Sequence, residues 1–289
     1  MKFRFIEMYQ EQFPVARMCG LLEVSTSGYY AWRARPLSGR ARANREMIVE
    51  IQDIYMQSWQ TYGSPRVHAE LLARGFSASK NRVARLMRAE NIQSRRKKKR
   101  KVTTNSRHAY PIAPNLLQRD FQAAAPNEKW LADITFIPTG EGWLYLAAIL
   151  DLFSRKVIGW AMDTSLESVL VEQAFHMAVQ NRKLVEGLLH HTDRGSQYAS
   201  GGYRKLLTGY DIQASMSNTG DCFDNAPMES FFSTLKCEQV HLQNYITRAE
   251  ARTDIFAYIE GFYNRLRRHS SLGYLSPEEF ERRYYDNLS

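Results

Sequence analysis

Residues 130–160 read WLADITFIPTGEGWLYLAAILDLFSRKVIGW. Three strand-like runs lie in and just beyond this stretch, at 130–137, 143–152 and 156–162. The first alternates: Leu131, Asp133, Thr135 and Ile137 share one face, and Trp130, Ala132, Ile134 and Phe136 the other. The second is apolar almost throughout, as in a strand covered on both sides. PTGEG at 138–142 and DLFSR at 151–155 supply turns between the runs. Runs this short joined by turns this short predict three consecutive antiparallel strands.

Further along, Thr164-x-x-Glu167 reads as a capping box opening a helix to residue 179, with Leu166, Val169, Leu170, Ala174 and Met177 inward. A strand at 188–192, a helix at 201–207, a strand at 212–217 and a helix at 225–238 follow. The order β-β-β-α-β-α-β-α is that of a ribonuclease H-like domain. The expected class is therefore α/β, a mixed five-stranded sheet flanked by helices over residues 128–245. Residues 246–289 read as a helical extension. It has a helix at 247–267 burying Phe256, Ile259 and Phe262, and a tail helix opened by Ser276-Pro277-Glu278-Glu279.

Upstream, the pattern is all helical. In the region 1–60, residues 13–33 carry two short helices, either a helix-turn-helix or a plain hairpin with Tyr29, Tyr30 and Trp32 in its core. RPLSGRARANR at 35–45 reads as a linker, and 45–59 as a helix. Residues 61–93 form a clearer helix-turn-helix. Ser64 is the expected N-cap with Pro65 behind it, Gly75 breaks the first helix, and Val83, Leu86 and Met87 face inward on the second. The opposite face presents Asn81, Arg85 and Arg88. These side chains suit base edges or phosphates, and equally a solvated basic face. Residues 94–127 read as a basic arm and connector. Arg95, Arg96, Lys97, Lys98, Lys99, Arg100 and Lys101 are consecutive, a run that binds nucleic acid or serves as an import signal.

Composition narrows the function classes. The 289 residues are 44% hydrophobic and 24% charged, which excludes global disorder. Residues 1–110 carry 22 basic and 8 acidic side chains; residues 111–289 carry 17 and 22. A basic front suits a polyanion, and an acidic rear suits something cationic such as a metal ion. No run approaches the roughly 18 apolar residues of a membrane helix, and Met1-Lys2-Phe3-Arg4 opens no secretory signal. Cys19, Cys222 and Cys237 form no C-x-x-C pair, against a disulfide scaffold or cysteine zinc site. The expectation is a cytoplasmic protein with no membrane partner.

Asp133 lies inside a strand, where a carboxylate costs several kcal/mol unless compensated. Asp193 lies just past the fourth strand in HHTDRGSQY, and Glu229 on the helix in DNAPMESFF. In a ribonuclease H-like sheet the first and fourth strands are neighbours, so the three acids converge and repel. Two divalent cations relieve that repulsion, and oxygen-only ligands favour Mg²⁺ or Mn²⁺. Asp151 competes but reads as a turn residue bonding backbone amides. His190 and His191 alternate along one strand and read as one core and one surface histidine. Asn225 either orients Glu229 or caps its helix. Arg265, Arg268 and His269 either touch DNA or form a solvated helix end.

The quoted stretch, with HHTDRGSQYAS, MSNTGDCFDNAPMESFFSTLKCE, YNRLRRHSSLGYLSPEEF and YGSPRVHAELLARGFSASKNRVARLMR, strongly resembles transposases of bacterial insertion sequences. The likeness is to the downstream-frame (OrfB) product of the family typified by the third insertion sequence, relatives of retroviral integrases. It implies a D-D-(35)-E triad on Asp133, Asp193 and Glu229, with the 35 residues 194–228 between the last two. It implies metal-dependent cleavage of double-stranded DNA at element ends and strand transfer into target DNA. It places a phosphate-contacting base at Lys236, and implies a homo-oligomer on DNA in a bacterial nucleoid. It also implies an upstream-frame partner, with this chain, which starts at Met1 and lacks sustained heptads, as the catalytic half. A hydrolysing nuclease of the same fold and an end-binding regulator are the competing readings. The His-His-Cys-Cys zinc module of retroviral integrases is not matched: residues 1–110 hold only His68, His108 and Cys19.

Overall fold

A computed structural model describes residues 1–36, 38–94, 110–218 and 222–288. The cationic run Arg95, Arg96, Lys97, Lys98, Lys99, Arg100 and Lys101 lies outside the described residues. The chain forms two compact units, Met1–Gln52 and Asp53–Ser289.

The first unit holds α1 (Lys2–Tyr9), α2 (Val15–Leu21) and α3 (Thr26–Ala34). Ile6, Met18, Cys19 and Tyr29 are buried together, with Phe3, Val15, Leu22 and Trp32 packed around them. Ser25 caps α3 by accepting the Gly28 amide at 3.0 Å. The two helices expected over 13–33 are α2 and α3; α1, upstream of them, carries no side-chain cap and is held by Ile6 in the shared core. Tyr30 is exposed, against its place in a hairpin core. The next helix, α4 (Gly39–Gln57), spans the division between the units and starts inside the expected linker. Ser38 accepts the Ala41 amide at 3.2 Å, and the Arg and Ala residues that follow are good helix formers.

In the second unit, α5 (Ser64–Ala73) and α6 (Lys80–Ala89) form the helix-turn-helix. Gly63 rather than Ser64 is the N-cap, Gly75 takes φ +84° at the break, and Ser79 caps α6 through the Arg82 amide. Val67, Leu71, Val83, Leu86 and Met87 are buried between the helices.

The sheet comprises β1 (Lys129–Thr139), β2 (Gly142–Asp151), β3 (Val157–Asp163), β4 (Leu189–Thr192) and β5 (Gln213–Met216), in the order β3-β2-β1-β4-β5. The first three pair antiparallel; β4 runs parallel to β1, and β5 to β4. One face packs on α7 (Ser168–Asn181), α8 (Ser196–Ala199) and α9 (Gly201–Gly209) around Trp130, Ala132, Ile149, Phe175 and Tyr203. Gly159 lets α7 approach, since a Cβ there would stand 2.3 Å from the Ala174 carbonyl oxygen. The expected cap at Thr164 does not form. Asp163 Oδ1 takes the Thr164 and Ser165 amides, and α7 begins later.

The remaining helices are α10 (Ala226–Glu238), α11 (Arg248–Phe256) and α12 (Pro277–Asp286). Beyond α11 the chain makes a π-helical turn, Ala257–Tyr263. The buried face runs through Ile255, Tyr258, Ile259 and Phe262, and Phe256, one position round from it, is exposed. This turn docks the helix-turn-helix. Trp59 stacks on Phe262 with centroids 5.0 Å apart. The Tyr62 hydroxyl donates to the Leu266 carbonyl at 3.0 Å and accepts the Arg268 amide at 2.7 Å. Arg268 pairs with Glu70 and donates to the Tyr274 carbonyl, so it is neither a free DNA contact nor a solvated helix end. Below it, Arg267 grips Glu238 with two hydrogen bonds of 2.8 and 2.7 Å, and Tyr258 adds a third at 2.7 Å.

The Arg267–Glu238 pair is almost wholly buried. Removing one partner strands a buried charge, so Arg267→Met or Glu238→Gln is expected to cost about 3–5 kcal/mol. The double substitution is expected to cost less than the sum, as measured by urea unfolding. Single losses below about 1 kcal/mol would show that the pair is not a buried anchor.

Candidate active site

Asp133 faces Ala148 on β2, one residue past the point where β1 parts from β4 at the Ala132–Thr192 pairing. Its Oδ1 accepts the Ile134 amide at 2.7 Å. The carboxyl is only partly exposed, and its acidity is strongly displaced. Burial raises its pKa well above the usual carboxylate range, Asp193 and then Glu229 raise it further, and Lys236 opposes them. The fold therefore brings Asp193, Glu229 and Lys236 within electrostatic reach of Asp133.

Asp193 sits beyond the end of β4, and its Oδ1 accepts the Gly195 amide at 2.9 Å. Gly195 suits this turn, because a Cβ would lie 3.0 Å from that oxygen. Glu229 occupies the first turn of α10, partly exposed, with its pKa raised by burial. Asn225 makes no side-chain cap. Its Nδ2 instead donates to the Ala132 carbonyl at 3.2 Å, tying the start of α10 to β1 beside Asp133. Asp224 anchors the same turn by accepting from the Asn218 amide, Arg119 and Asn115 at 2.8–2.9 Å. These bonds outweigh burial and hold its pKa below the usual value.

Asp151 is fully buried and accepts the Asn127 and Phe153 amides, each at 2.9 Å, as a turn residue does. Burial raises it to about 6. Both histidines of β4 are buried, which corrects the expectation of one at the surface. The sheet is covered on both faces, so alternation carries them into two different interiors. His190 Nε2 bonds the Tyr203 hydroxyl at 2.8 Å; His191 bonds Ser215 at 2.8 Å and Ser217 at 3.1 Å. Burial lowers their pKa values to about 3 and about 4, so both are neutral structural links.

The pattern of residue types alone misses Tyr198, five residues after Asp193. Its hydroxyl is buried without a hydrogen-bond partner among the described residues. Burial raises its pKa well above the usual value, with added contributions from Tyr203, Asp133 and Asp193. Its place in HHTDRGSQY was the only available signal. Elsewhere, Asn81, Arg85 and Arg88 are all exposed on α6.

The donor set suits a hard cation. The convergent acids offer only carboxylate oxygens, and both nitrogens of His191 are already bonded. Among the described residues, however, no three His, Cys, Asp or Glu side chains close into a group able to hold one ion as they are posed. No described helix is long and apolar enough to cross a membrane.

The chain matches the family described as integrase core domain over residues 123–222, and a second integrase core description over 210–277. Residues 41–100 match the HTH-like domain. It is 41% identical over 283 residues to transposase InsF for insertion sequence IS3A of Escherichia coli (strain K12), covering 97% of this chain and 98% of that protein. It is also 41% identical over 268 residues to the 31 kDa protein of insertion element IS600 of Shigella sonnei, covering 93% and 98%. Among solved structures, the simian T-cell lymphotropic virus intasome in complex with PP2A regulatory subunit B56 gamma is 16% identical, with a TM-score of 0.47 over 74% of this chain and 69% of that one. The HTLV-2 integrase catalytic core in complex with magnesium (trimeric form) is 17% identical, with a TM-score of 0.42 over 55% and 99%.

The raised pKa of Asp133 fixes a sign. Its folded pKa exceeds the unfolded value near 3.9, so the native state holds the extra proton between the two values. Stability then falls as pH rises through that window. Asp133→Asn escapes this loss. In EDTA, its melting temperature is expected to match wild type near pH 4 and exceed it at pH 7. An Asn variant less stable than wild type at pH 7 would contradict this.

Proposed function

The chain belongs to the transposases of IS3-type insertion sequences, and on that premise we propose that it cuts DNA at element ends and joins the freed 3′-hydroxyl to target DNA. The observation that carries this reading is the electrostatic convergence of Asp133, Asp193, Glu229 and Lys236. Asp133, Asp193 and Glu229 would hold Mg²⁺ or Mn²⁺, with two ions expected. When bound, the metal supplies charge neutralisation and Lewis acidity at a phosphodiester.

Both steps are displacements at phosphorus. In the first, a water oxygen attacks and the 3′-oxygen departs; in the second, that 3′-hydroxyl attacks another phosphodiester and the target strand's own 3′-oxygen departs. Neither needs a covalent link to the protein, so no serine or tyrosine nucleophile is required. Lys236, on the same helix as Glu229, offsets charge on the phosphate being cut. Asn225 keeps α10 against β1, so Glu229 is positioned before substrate arrives. Asn81, Arg85 and Arg88 on the exposed face of α6 grip the element end. Arg95, Arg96, Lys97, Lys98, Lys99, Arg100 and Lys101 add sequence-blind, salt-sensitive affinity. The reading extends to a homo-oligomer on paired DNA ends and to an upstream-frame partner protein.

Labelled duplexes bearing element ends, with Mg²⁺, test this. Asp133→Asn, Asp193→Asn and Glu229→Gln are each expected to lose at least about 10²–10³-fold in cleavage while still binding DNA. Wild type joins a pre-cut 3′-hydroxyl end to target; hydrolysis without joining would identify a nuclease. Full activity in any of the three variants removes that residue from the site. Separately, Arg88→Ala is expected to weaken end binding by about 1–3 kcal/mol if it reads a base, or evenly across sequences if it holds a phosphate.

A further inference from the structure

The next face of α10 round from Glu229 opens on a different feature. Ala226, Ser230, Thr234 and Cys237 line a cavity of about 750 Å³. Its other walls come from the start of α5, the turn between β2 and β3, and the segment after the π-helical turn. All belong to the unit Asp53–Ser289.

The charge on these walls is unbalanced. Arg66, Arg155 and Arg267 line the cavity against one carboxylate, Glu238, which is bound to Arg267 through two hydrogen bonds. Arg66 donates Nε to the Arg268 carbonyl at 2.8 Å, and Arg155 donates Nη2 to the Phe121 carbonyl at 3.1 Å. Those acceptors are neutral. Arg155 Nη1 is buried with no hydrogen-bond partner among the described residues. Asp151 is near enough to Arg155 to be felt, but its oxygens are taken by backbone amides. Burial and the charges of Arg267, Arg66 and Arg155 hold the His269 ring neutral, far below its usual pKa. Arg155 also takes a left-handed backbone, φ +61°, which a residue with a Cβ seldom adopts. Hydroxyls of Ser230, Ser270 and Ser271 share the lining.

We propose that this cavity is a phosphate-binding site, in which Arg155 and Arg66 clamp one phosphate and the serine hydroxyls complete its hydrogen bonds. Guanidinium forks match phosphate oxygens in pairs, and a partly desolvated guanidinium without an anion is the costly arrangement that such a ligand relieves. The cavity lies between the helix-turn-helix and α10, so the phosphate belongs to DNA running from one to the other. That assignment rests on the function proposed above; the phosphate site itself does not. A free phosphate offers the same chemistry.

Two arms separate these sources. The first follows thermal melting of the full chain in inorganic phosphate against chloride of equal ionic strength. Wild type is expected to melt higher in phosphate. Arg155→Gln and Ser271→Asp lose at least half of that rise, and Arg155→Lys keeps part of it. Ser271 is exposed, so Ser271→Asp adds a competing carboxylate without disturbing the interior. Equal rises in wild type and Ser271→Asp would overturn the site. The second arm measures duplex binding against salt. Arg155→Gln is expected to reduce the slope of log affinity against log salt by about one phosphate contact. A phosphate response with an unchanged slope keeps the site and overturns its assignment to DNA. Neither arm reads cleavage, so failure of the catalytic assignment would leave both results standing.

Discussion

A carboxylate occupies a core strand where an apolar side chain is the cheaper choice, and much of the surrounding structure keeps it there. Asp133 sits on β1, which is bonded to β2 along its length and to β4 only from Lys129 to Ala132. The pairing of β1 with β4 ends at Ala132, just before Asp133. Asp193 is delivered by the adjoining parallel strand, and Glu229 by a helix whose first residues are tied back to β1 through Asn225. Each added carboxylate raises the electrostatic cost, and Lys236 offsets only part of it. A site that is expensive without counter-charge is also a site selective for hard cations.

The helix α10 connects this site to the helix-turn-helix. Its N-terminal end is fixed by Asn225 on the Ala132 carbonyl, and its C-terminal end by the buried Glu238–Arg267 pair. Residues next to Arg267 hold the helix-turn-helix: Leu266 through Tyr62, and Arg268 through Glu70. A single compact unit therefore carries the exposed face of α6, the arginine-lined cavity and the acidic site.

Much of this was legible in the sequence. Alternation and turn residues gave all five strands, because a sheet covered on both faces leaves a period-two or wholly apolar trace. The helix-turn-helix was legible from Gly75 and the Val83–Leu86–Met87 stripe. The resemblance to insertion-sequence transposases named Asp133, Asp193 and Glu229, acids that the fold then brings within electrostatic reach. What was hidden depends on distant partners. One of His190 and His191 read as a surface residue, but Ser215 of β5 and Ser217 just beyond it come to His191 in the interior. Arg268 read as either a DNA contact or a solvated helix end, since nothing local reveals Glu70. Phe256 was expected inward with Ile259 and Phe262, but the buried face starts at Ile255, one position round from it. Tyr198 carried no motif of its own, and its meaning lies in the two carboxylates beside it.

The central claim is that Asp133, Asp193 and Glu229 serve one cation site rather than three separate roles. Calorimetric titration of Mn²⁺ into the protein, with each acid replaced singly by its amide, tests it most directly. The account predicts saturable binding in wild type and severe weakening of the same binding event in all three variants. Wild-type affinity in any one of them, or no Mn²⁺ binding in wild type with DNA present, would contradict it.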